Sequence, residues 1–420
     1  MNEVANYKHS EGTCWSIVAL ELNYWRAPSI GIPLAIDPQN IVWMVIEPHI
    51  WPILDRLPID WGTFGLYGRR ERHFTDKADS HLRYGPIWAL VTLAHIYVHV
   101  ADVDAVHEVF NRWMDFQRLS KMYKVLEVYG PCISTASLKD WPWHRKAENH
   151  CRKGHLHSLL NVLAATSFRK SYYCNNTKSY RDALQTVLDN LILLMHVAHA
   201  AAAFRQHIEQ MVGDELAALN GGCFSAGSLM SSFVRALGVN QKKKAKGQEL
   251  LKDLSMDKIF RNIFVTNFTS HDTTANMLAF IMLLLAACLE VQDWVAEEFE
   301  VLVSEDGPLD YHDLFPKLKR CRAVMYETLR LYPPVMAILK WTSEHPHTLI
   351  VGDRTVIISP NTGVSPSILA LHTRPDIWEE PLTWKPARWV SSTTPHSIED
   401  EMLLRMRYAD RVCINYRPIR

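Results

Sequence analysis

A polar stretch inside an apolar segment constrains this chain most. Apolar residues at helical spacing (259–264) lead into it, and an apolar run from Met277 to Leu289 follows it. The segment from Ser255 to about Glu300 therefore predicts one long buried helix. Its centre, residues 267–274 (NFTSHDTT), is rich in Thr, Ser and Asp, which compete for backbone hydrogen bonds and tend to open a helix locally. That cost indicates a functional site, and the alternative is a linker between two shorter helices.

Charge and cysteine content exclude several classes of protein. The 420 residues carry 45 Lys plus Arg and 45 Asp plus Glu, so there is no basic field to recruit nucleic acid, and we expect no nucleic-acid partner. The eight cysteines show no CxxC spacing, which argues against a zinc site and against a dense disulfide framework.

The first 60 residues carry no periodic pattern. Within them, residues 41–57 are rich in Trp, Ile, Val and Leu but are interrupted by Pro48 and Pro52, which suits an interfacial or core-packed segment better than a membrane span. No apolar run reaches the length of a transmembrane helix, and no signal peptide is visible at Met1. We therefore treat residues 1–60 as an N-terminal segment able to touch a membrane peripherally.

The rest of the chain alternates helical patterns with short β-hairpins. Two β-rich runs (87–93 and 95–100) precede a helix over 102–110, and a second hairpin over 348–358 turns at Gly352-Asp353. Further helices are predicted at the following positions: Ser179–Met195, Ala200–Leu219 and Cys321–Leu331. The predicted class is mainly α with small β-hairpins.

Two residue pairs could carry chemistry through their helical spacing. Glu327 and Arg330 are three apart and can pair on one face, although most such pairs are surface salt bridges of little consequence. Trp141 and Arg145 are four apart and could offer an anion an indole donor and a guanidinium together. By itself the second pattern favours an amphipathic surface helix.

The order of these patterns is more specific than any one of them. The Trp141/Arg145 helix, the HDTT stretch, ETLRLYPPV (residues 327–335), a hairpin and the motif at Pro386, Arg388 and Trp389 follow one another. In this order and spacing the chain resembles a cytochrome P450 over roughly residues 84–389. The residues of the HDTT and ETLRLYPPV motifs resemble those of a fungal member of the family. The resemblance implies a P450 fold in residues 61–420 behind the N-terminal segment 1–60.

The resemblance also implies roles for residues around a haem. Glu327, Arg330 and Arg388 match the family's buried carboxylate and two-arginine cluster beside the haem, whose role is structural. Trp141 and Arg145 match residues that reach a haem propionate.

Two residues of the central helix match the family's distal acid and alcohol. Asp272 and Thr273 would help to deliver protons during oxygen activation, with Thr273 rather than Thr274 facing the haem cavity. The family's small residue and glycine before the acid are replaced here by Thr269 and Ser270.

Cys413 matches the thiolate ligand of the haem iron only in part. Of the family's ligand loop, Arg411 and Cys413 agree, whereas Met406, Ala409 and Asn415 do not, and seven residues follow Cys413. They are too few for the family's next helix. We therefore expect an incomplete P450 fold, truncated and with a degenerate haem-ligand loop, that binds haem poorly.

The function implied by the resemblance is haem-thiolate monooxygenation. One oxygen atom of O2 would enter an apolar small molecule, with haem as cofactor and electrons from NADPH through a cytochrome P450 reductase. By the same resemblance the protein would associate with the endoplasmic reticulum membrane. One alternative is a non-catalytic, haem-less remnant of a P450 scaffold; a more distant one is an unrelated helical interaction protein.

Overall fold

The computed structural model describes residues 18–118, 127, 197–220, 256–303 and 314–390, apart from positions 35, 39, 70 and 337. The chain divides into two compact units, residues 119–276 and the remainder (1–118 with 277–420). The predicted helix Ser179–Met195 lies outside the described residues. The predicted boundary near residue 60 stays a prediction.

The described residues are mainly helical with two small sheets. Residues 18–26 are helical. The other described helices are, in chain order, α1 Ile41–Leu54, α2 Gly62–Tyr67, α3 Arg72–Asp76, α4 Asp79–Tyr84, α5 Val103–Asn111, α6 Val197–Asn220, α7 Met256–Ala287, α8 Leu289–Val303, α9 Lys319–Leu331 and α10 Ile368–Thr373. The strands are β1 Gly31–Leu34, β2 Ile87–Thr92, β3 Ile96–Val100, β4 Phe116–Arg118, β5 Lys340–Thr342, β6 His347–Val351, β7 Arg354–Ile358 and β8 Gly363–Pro366. Short 3-10 turns cover Phe315–Lys317 and Pro386–Trp389.

A mixed six-stranded sheet forms the centre of the larger unit. Its strand order is β1-β2-β3-β8-β5-β4, with parallel pairs β1–β2 and β3–β8 and antiparallel pairs elsewhere. Both faces of β2 are buried: Ala89 and Val91 pack in one apolar cluster, and Trp88 and Leu90 pack in another. This explains why β2 reads as a continuous apolar run rather than an alternating one.

The predicted hairpins and the helix after the first hairpin are confirmed. Strands β2 and β3 pair from Ile87↔Val100 to Val91↔Ile96. Helix α5 begins after Asp102, whose carboxylate accepts a hydrogen bond from the Ala105 N–H at 2.9 Å. Strands β6 and β7 pair across a turn in which Gly352 has a φ of 57°, a left-handed conformation that glycine adopts without strain.

The N-terminal segment is more ordered than its sequence pattern indicates. Strand β1 pairs with β2 in the sheet. Helix α1 continues through Pro48 and Pro52, although prolines inside a helical segment usually break the helix. The Asn40 side chain caps the start of α1 by accepting from the Val42 N–H at 2.8 Å. Trp51 is buried against Phe64 and lies under the Arg69 guanidinium, so tertiary packing outweighs the proline penalty.

Residues 256–287, including the polar centre, form one helix, so the linker alternative is wrong. The predicted continuation of this helix to about Glu300 is also wrong, because the chain bends by 106° at Cys288 and α8 begins at Leu289. The second half of α7 is not uniformly buried: Met277 is 7% exposed, whereas Met282 and Leu283 are 63% and 67% exposed. The expectation of a fully buried helix is therefore wrong for this half, because an apolar sequence does not specify which neighbours cover it.

Within the described residues no single helix is both long and apolar enough to cross a membrane. Residues Thr273–Ala287 and Leu289–Leu302 would satisfy that criterion only as a pair, and the two are bent by 106°.

Candidate functional site

A buried carboxylate lies near the end of α9. Glu327 and Arg330 are both fully buried, one helical turn apart. The Arg330 Nε and Nη2 atoms donate to the two Glu327 oxygens at 2.9 and 2.8 Å, so the guanidinium meets the carboxylate in a bidentate pair. The i, i+3 spacing predicted this contact, and its complete burial distinguishes it from a surface salt bridge.

The segment before and within the last 3-10 turn supplies three more donors to Glu327. Arg388 Nε donates to Oε1 at 3.0 Å, and its side chain is 13% exposed. The backbone N–H of Lys385 also donates to Oε1, at 2.9 Å, and Trp389 Nε1 donates to Oε2 at 2.9 Å. The structure thus brings Glu327, Arg330 and Arg388 into one group, here called the Glu327 cluster.

The remaining donors of Arg330 bind backbone carbonyls. They reach the carbonyls of His372 at 2.7 Å, Pro381 at 2.6 Å and Thr383 at 3.2 Å. The His372 Nδ1–H donates in return to the Arg330 carbonyl at 3.2 Å. These bonds tie α9 to α10 and to the chain that leads into the last 3-10 turn.

The ionisation of the cluster follows from these contacts. Burial alone would raise the pKa of Glu327, but the hydrogen bonds from Arg330, Lys385 and Trp389 and the charge of Arg330 outweigh it and lower that pKa. Burial and the Arg330 charge lower the pKa of His372 to about 4. At neutral pH the glutamate is therefore charged and the histidine neutral. The structural role that the resemblance implies for the cluster stays a prediction, and it agrees with a charged carboxylate whose two oxygens are both hydrogen-bonded.

The other predicted site residues lie in the second unit or outside the described residues. Asp272 and Thr273 lie on α7 in the smaller unit, where Thr273 is half-buried. Trp141, Arg145 and Cys413 lie outside the described residues. The roles assigned to all of these residues stay predictions.

A buried lysine on the sheet was missed from the sequence. Lys340 on β5 is 3% exposed and stands opposite Arg118 on β4. In the described part of the chain it forms no ion pair, and its ammonium lies 5.4 Å from the ring centre of Phe110. Burial and then the Arg118 charge lower the pKa of Lys340 to about 8. A single lysine in the apolar run Ala337–Trp341 was the available signal.

Comparison with solved structures defines the fold as that of a cytochrome P450. A zebrafish cytochrome P450 solved with abiraterone superposes with a TM-score of 0.58 at 16% identity, covering 81% of this chain and 91% of the other. A second zebrafish P450 structure, with progesterone, gives a TM-score of 0.59 at 17% identity over 76% and 83% of the two chains.

Sequence comparison identifies the family. The family model for cytochrome P450 matches residues 189–403, just over half of the chain. A cytochrome P450 monooxygenase of Arthrobotrys oligospora is 22% identical over 89% of this chain and 77% of its own length, and one of Penicillium roqueforti is 23% identical over 91% and 80%. The chain belongs to the cytochrome P450 family, which confirms the predicted family and fold and excludes the unrelated helical protein.

Proposed function

We propose that this protein is a haem-thiolate monooxygenase that inserts one oxygen atom of O2 into an apolar small molecule, with electrons passed from NADPH by a cytochrome P450 reductase. The family match over residues 189–403 carries the proposal. The relatives named monooxygenases support the same oxidoreductase class. The identity of the substrate is left open, because an apolar pocket does not specify its ligand.

The donor chemistry of the larger unit fits an acidic cofactor. Lys340 is a buried cation without a carboxylate partner among the described residues, and the second cation, Arg118, stands opposite it. A buried ammonium is costly unless an anion compensates it, and haem carries two propionates. Lys340 and Arg118 would therefore hold propionate groups, together with the predicted Trp141 and Arg145.

When bound, haem supplies the oxygen chemistry, and Cys413 is the proposed thiolate ligand. The chain's own residues orient and support it. Five hydrogen bonds fix Glu327 and thereby hold α9 against the 380–389 segment. On α7, Asp272 and Thr273 are proposed to hold and pass protons, the acid through its carboxyl group and the alcohol through its hydroxyl.

We further propose that the protein contacts the endoplasmic reticulum membrane through its N-terminal part. Several large apolar side chains there are exposed to solvent, including Trp25 at 77%, Val42 at 66% and Ile53 at 63%. Amphipathic side chains such as Trp favour the interface between water and lipid. Flotation of the purified chain with vesicles, compared with a Trp25→Ser, Val42→Ser, Ile53→Ser variant, tests this: equal flotation of both would contradict it.

The absorbance spectrum of the reduced, CO-treated protein tests the main proposal. The full chain expressed with excess haem should give a thiolate-haem band, of low yield because the loop around Cys413 departs from the family pattern, and Cys413→Ala should abolish it while Cys321→Ala should not. A spectrum without that band in the parent chain would contradict the proposal and favour a non-catalytic P450 scaffold. The departures around Cys413 are the observation that favours that second candidate.

A further experiment separates the two threonines on α7. In any haem-bound preparation that turns over, Thr273→Ala should divert reducing equivalents to peroxide, whereas Thr274→Ala should not. Equal peroxide yields from the two variants would contradict the role assigned to Thr273.

A further inference from the structure

A second group of buried polar side chains lies in the larger unit, away from the Glu327 cluster. It lines a small pocket between the short helices α2–α4, the sheet and α10, here called the Arg72–His99 pocket. Its principal side chains are Arg72, His81, Trp88 and His99, which are 8%, 5%, 2% and 3% exposed. Trp88 and His99 face each other across β2 and β3 and stack with ring centres 4.3 Å apart.

Three buried ring nitrogens of this pocket have no hydrogen-bond partner. They are Nε1 of Trp88, Nε2 of His99 and Nε2 of His81. The indole N–H can only donate. Because the His81 Nδ1–H donates to the Gly85 carbonyl at 3.2 Å, the Nε2 of this neutral imidazole is unprotonated and can only accept a hydrogen bond. Unpaired buried polar atoms are rare and call for an explanation such as a bound ion or ligand.

The Arg72 guanidinium also has few hydrogen-bond partners among the described residues. Its sole hydrogen bond among the described residues is a long one, 3.5 Å from Nη1 to the Tyr67 carbonyl, and it forms no ion pair there. A guanidinium offers five N–H donors. Burial lowers the pKa of Arg72 while Asp76 and Asp37 oppose that effect from a distance, and the group remains a cation at neutral pH.

The pocket wall offers few free acceptors. The Asp76 carboxylate accepts from the Ser80 N–H at 3.1 Å and from the Ser80 hydroxyl at 2.6 Å. Because that hydroxyl donates to Asp76, it accepts from the Tyr67 hydroxyl, 2.6 Å away. Both bonds to Asp76 end on Oδ1, so its Oδ2 and the His81 Nε2 remain as acceptors, and the N–H groups of Arg72 and Trp88 outnumber them. The wall carries two cations, the buried Arg72 and the exposed Lys77, against one carboxylate.

The size of the pocket limits which ligands can bind in it. The pocket has room for about one water molecule or one monatomic ion. Water could satisfy the ring nitrogens, but it would not compensate the charge of Arg72.

We propose that the Arg72–His99 pocket binds a halide ion, held by the Arg72 guanidinium, the Trp88 indole N–H and the Nε2–H of His99, while the His81 Nε2, an acceptor, does not contact the ion. This site is independent of the oxidative function. Halide binding stabilises the folded chain by mass action, so it is a structural ligand that locks α2–α4 onto the sheet.

Thermal unfolding of the full chain tests the proposal. At equal ionic strength, replacing sodium gluconate by sodium chloride or bromide should raise Tm by about 1–3 °C. Arg72→Met and Trp88→Phe should each lose this rise, whereas Arg83→Met, which removes an exposed arginine from α4, should keep it. Equal Tm values for the parent chain in gluconate and in chloride would overturn the proposal.

Bromide in crystals of the unmutated chain gives a second measurement that does not depend on variants folding. An anomalous peak within hydrogen-bond distance of Arg72 and Trp88 is expected. Its absence at a bromide concentration that raises Tm would overturn the assignment to this pocket. Stabilisation by formate but not by halides, lost in Arg72→Met, would also overturn it and identify a carboxylate ligand instead.

Discussion

The Glu327 cluster and the Arg72–His99 pocket bury charged groups in the same unit but treat them differently. Glu327 receives five hydrogen bonds, and Arg330 places its other donors on three carbonyls. In the pocket, three ring nitrogens have no partner and Arg72 makes one long bond. The side chains are similarly buried in both regions. The number of hydrogen-bond partners that the protein provides therefore decides whether a buried polar group stabilises the fold by itself or requires a ligand.

Removing the carboxylate should give the largest effect. Glu327→Ala leaves two guanidiniums without their shared partner, and we expect it to lower the free energy of unfolding by about 3 kcal/mol or more. Denaturant titration measures this. The control is Glu380→Ala, which removes a carboxylate that is 54% exposed and paired with Lys385, and should change the free energy of unfolding far less, because solvent screens an exposed ion pair. Similar losses of unfolding free energy in both variants would show that burial of the Glu327 cluster does not stabilise the fold more than an exposed ion pair does.

The two arginines of the cluster should differ. Arg330→Met breaks a fully buried bidentate pair and strands three carbonyls, for an expected loss of about 3–5 kcal/mol. Arg388→Met removes one hydrogen bond to the carboxylate and three to exposed carbonyls, those of Glu379, Glu380 and Thr383, which water can replace. We expect a loss of about 1–2 kcal/mol. Denaturant titrations of the two variants side by side measure the difference. A larger loss for Arg388→Met would reverse this order and contradict the contacts.

Acid should weaken the pocket before it weakens the glutamate. Burial lowers the pKa of His81 from 6.5 to about 4. Between those pH values the unfolded chain binds a proton at this histidine that the folded chain does not, so stability falls as the pH falls, by roughly 1.4 kcal/mol per unit. The stability from Glu327, whose pKa is lowered, is present above the ordinary carboxyl range and is lost only at lower pH.

Unfolding free energies measured from pH 7 to pH 4 check this. His81→Gln should reduce the slope, whereas Leu82→Ala, an exposed apolar position on the same helix, should leave the slope unchanged. His372, whose pKa is also lowered to about 4, contributes a similar slope from the other region and remains in both variants. Parallel curves for His81→Gln and the parent chain would contradict the assignment.

The smallest effect is expected at His99. His99→Phe replaces a buried imidazole that lacks a partner at Nε2 by a ring of similar size that can still stack on Trp88. In gluconate, where no halide competes, stability should stay within about 1 kcal/mol of the parent chain. A loss as large as that of Glu327→Ala would show that His99 has strong contacts and would remove the contrast between the two regions.

Local sequence patterns predicted the elements whose signals are local. The β6–β7 hairpin depends on the Gly352-Asp353 turn, and α5 depends on apolar residues at helical spacing after the Asp102 cap. Helices α6 and α9 followed from their periodicity and lie where predicted, to within three residues. The same approach missed α1, because packing around Trp51 outweighs two prolines that look like breaks.

Residues of the candidate site could be predicted from the sequence only where they pair within one helix or match a motif of the family. Glu327 and Arg330 follow from i, i+3 spacing, and Arg388 followed from the resemblance to P450s rather than from any local rule. Lys340 was not predicted, since one lysine in an apolar run does not reveal that its ammonium is buried opposite Arg118. The catalytic and ligand roles of Asp272, Thr273, Trp141, Arg145 and Cys413 stay predictions.

By itself the sequence determined the family, the mainly helical class, the hairpins and the pairing within α9, because each depends on residues close together in the chain or on motif order. Only the tertiary structure decided which apolar side chains of α7 are exposed and that Arg72, His81, Trp88 and His99 share one pocket. Those side chains come from α3, α4, β2 and β3, and their proximity depends on the register of β2 against β3 and on how the short helices pack over the sheet. Such long-range pairing leaves no periodic signal in the sequence, because it is set by the packing of whole elements rather than by the spacing of residues.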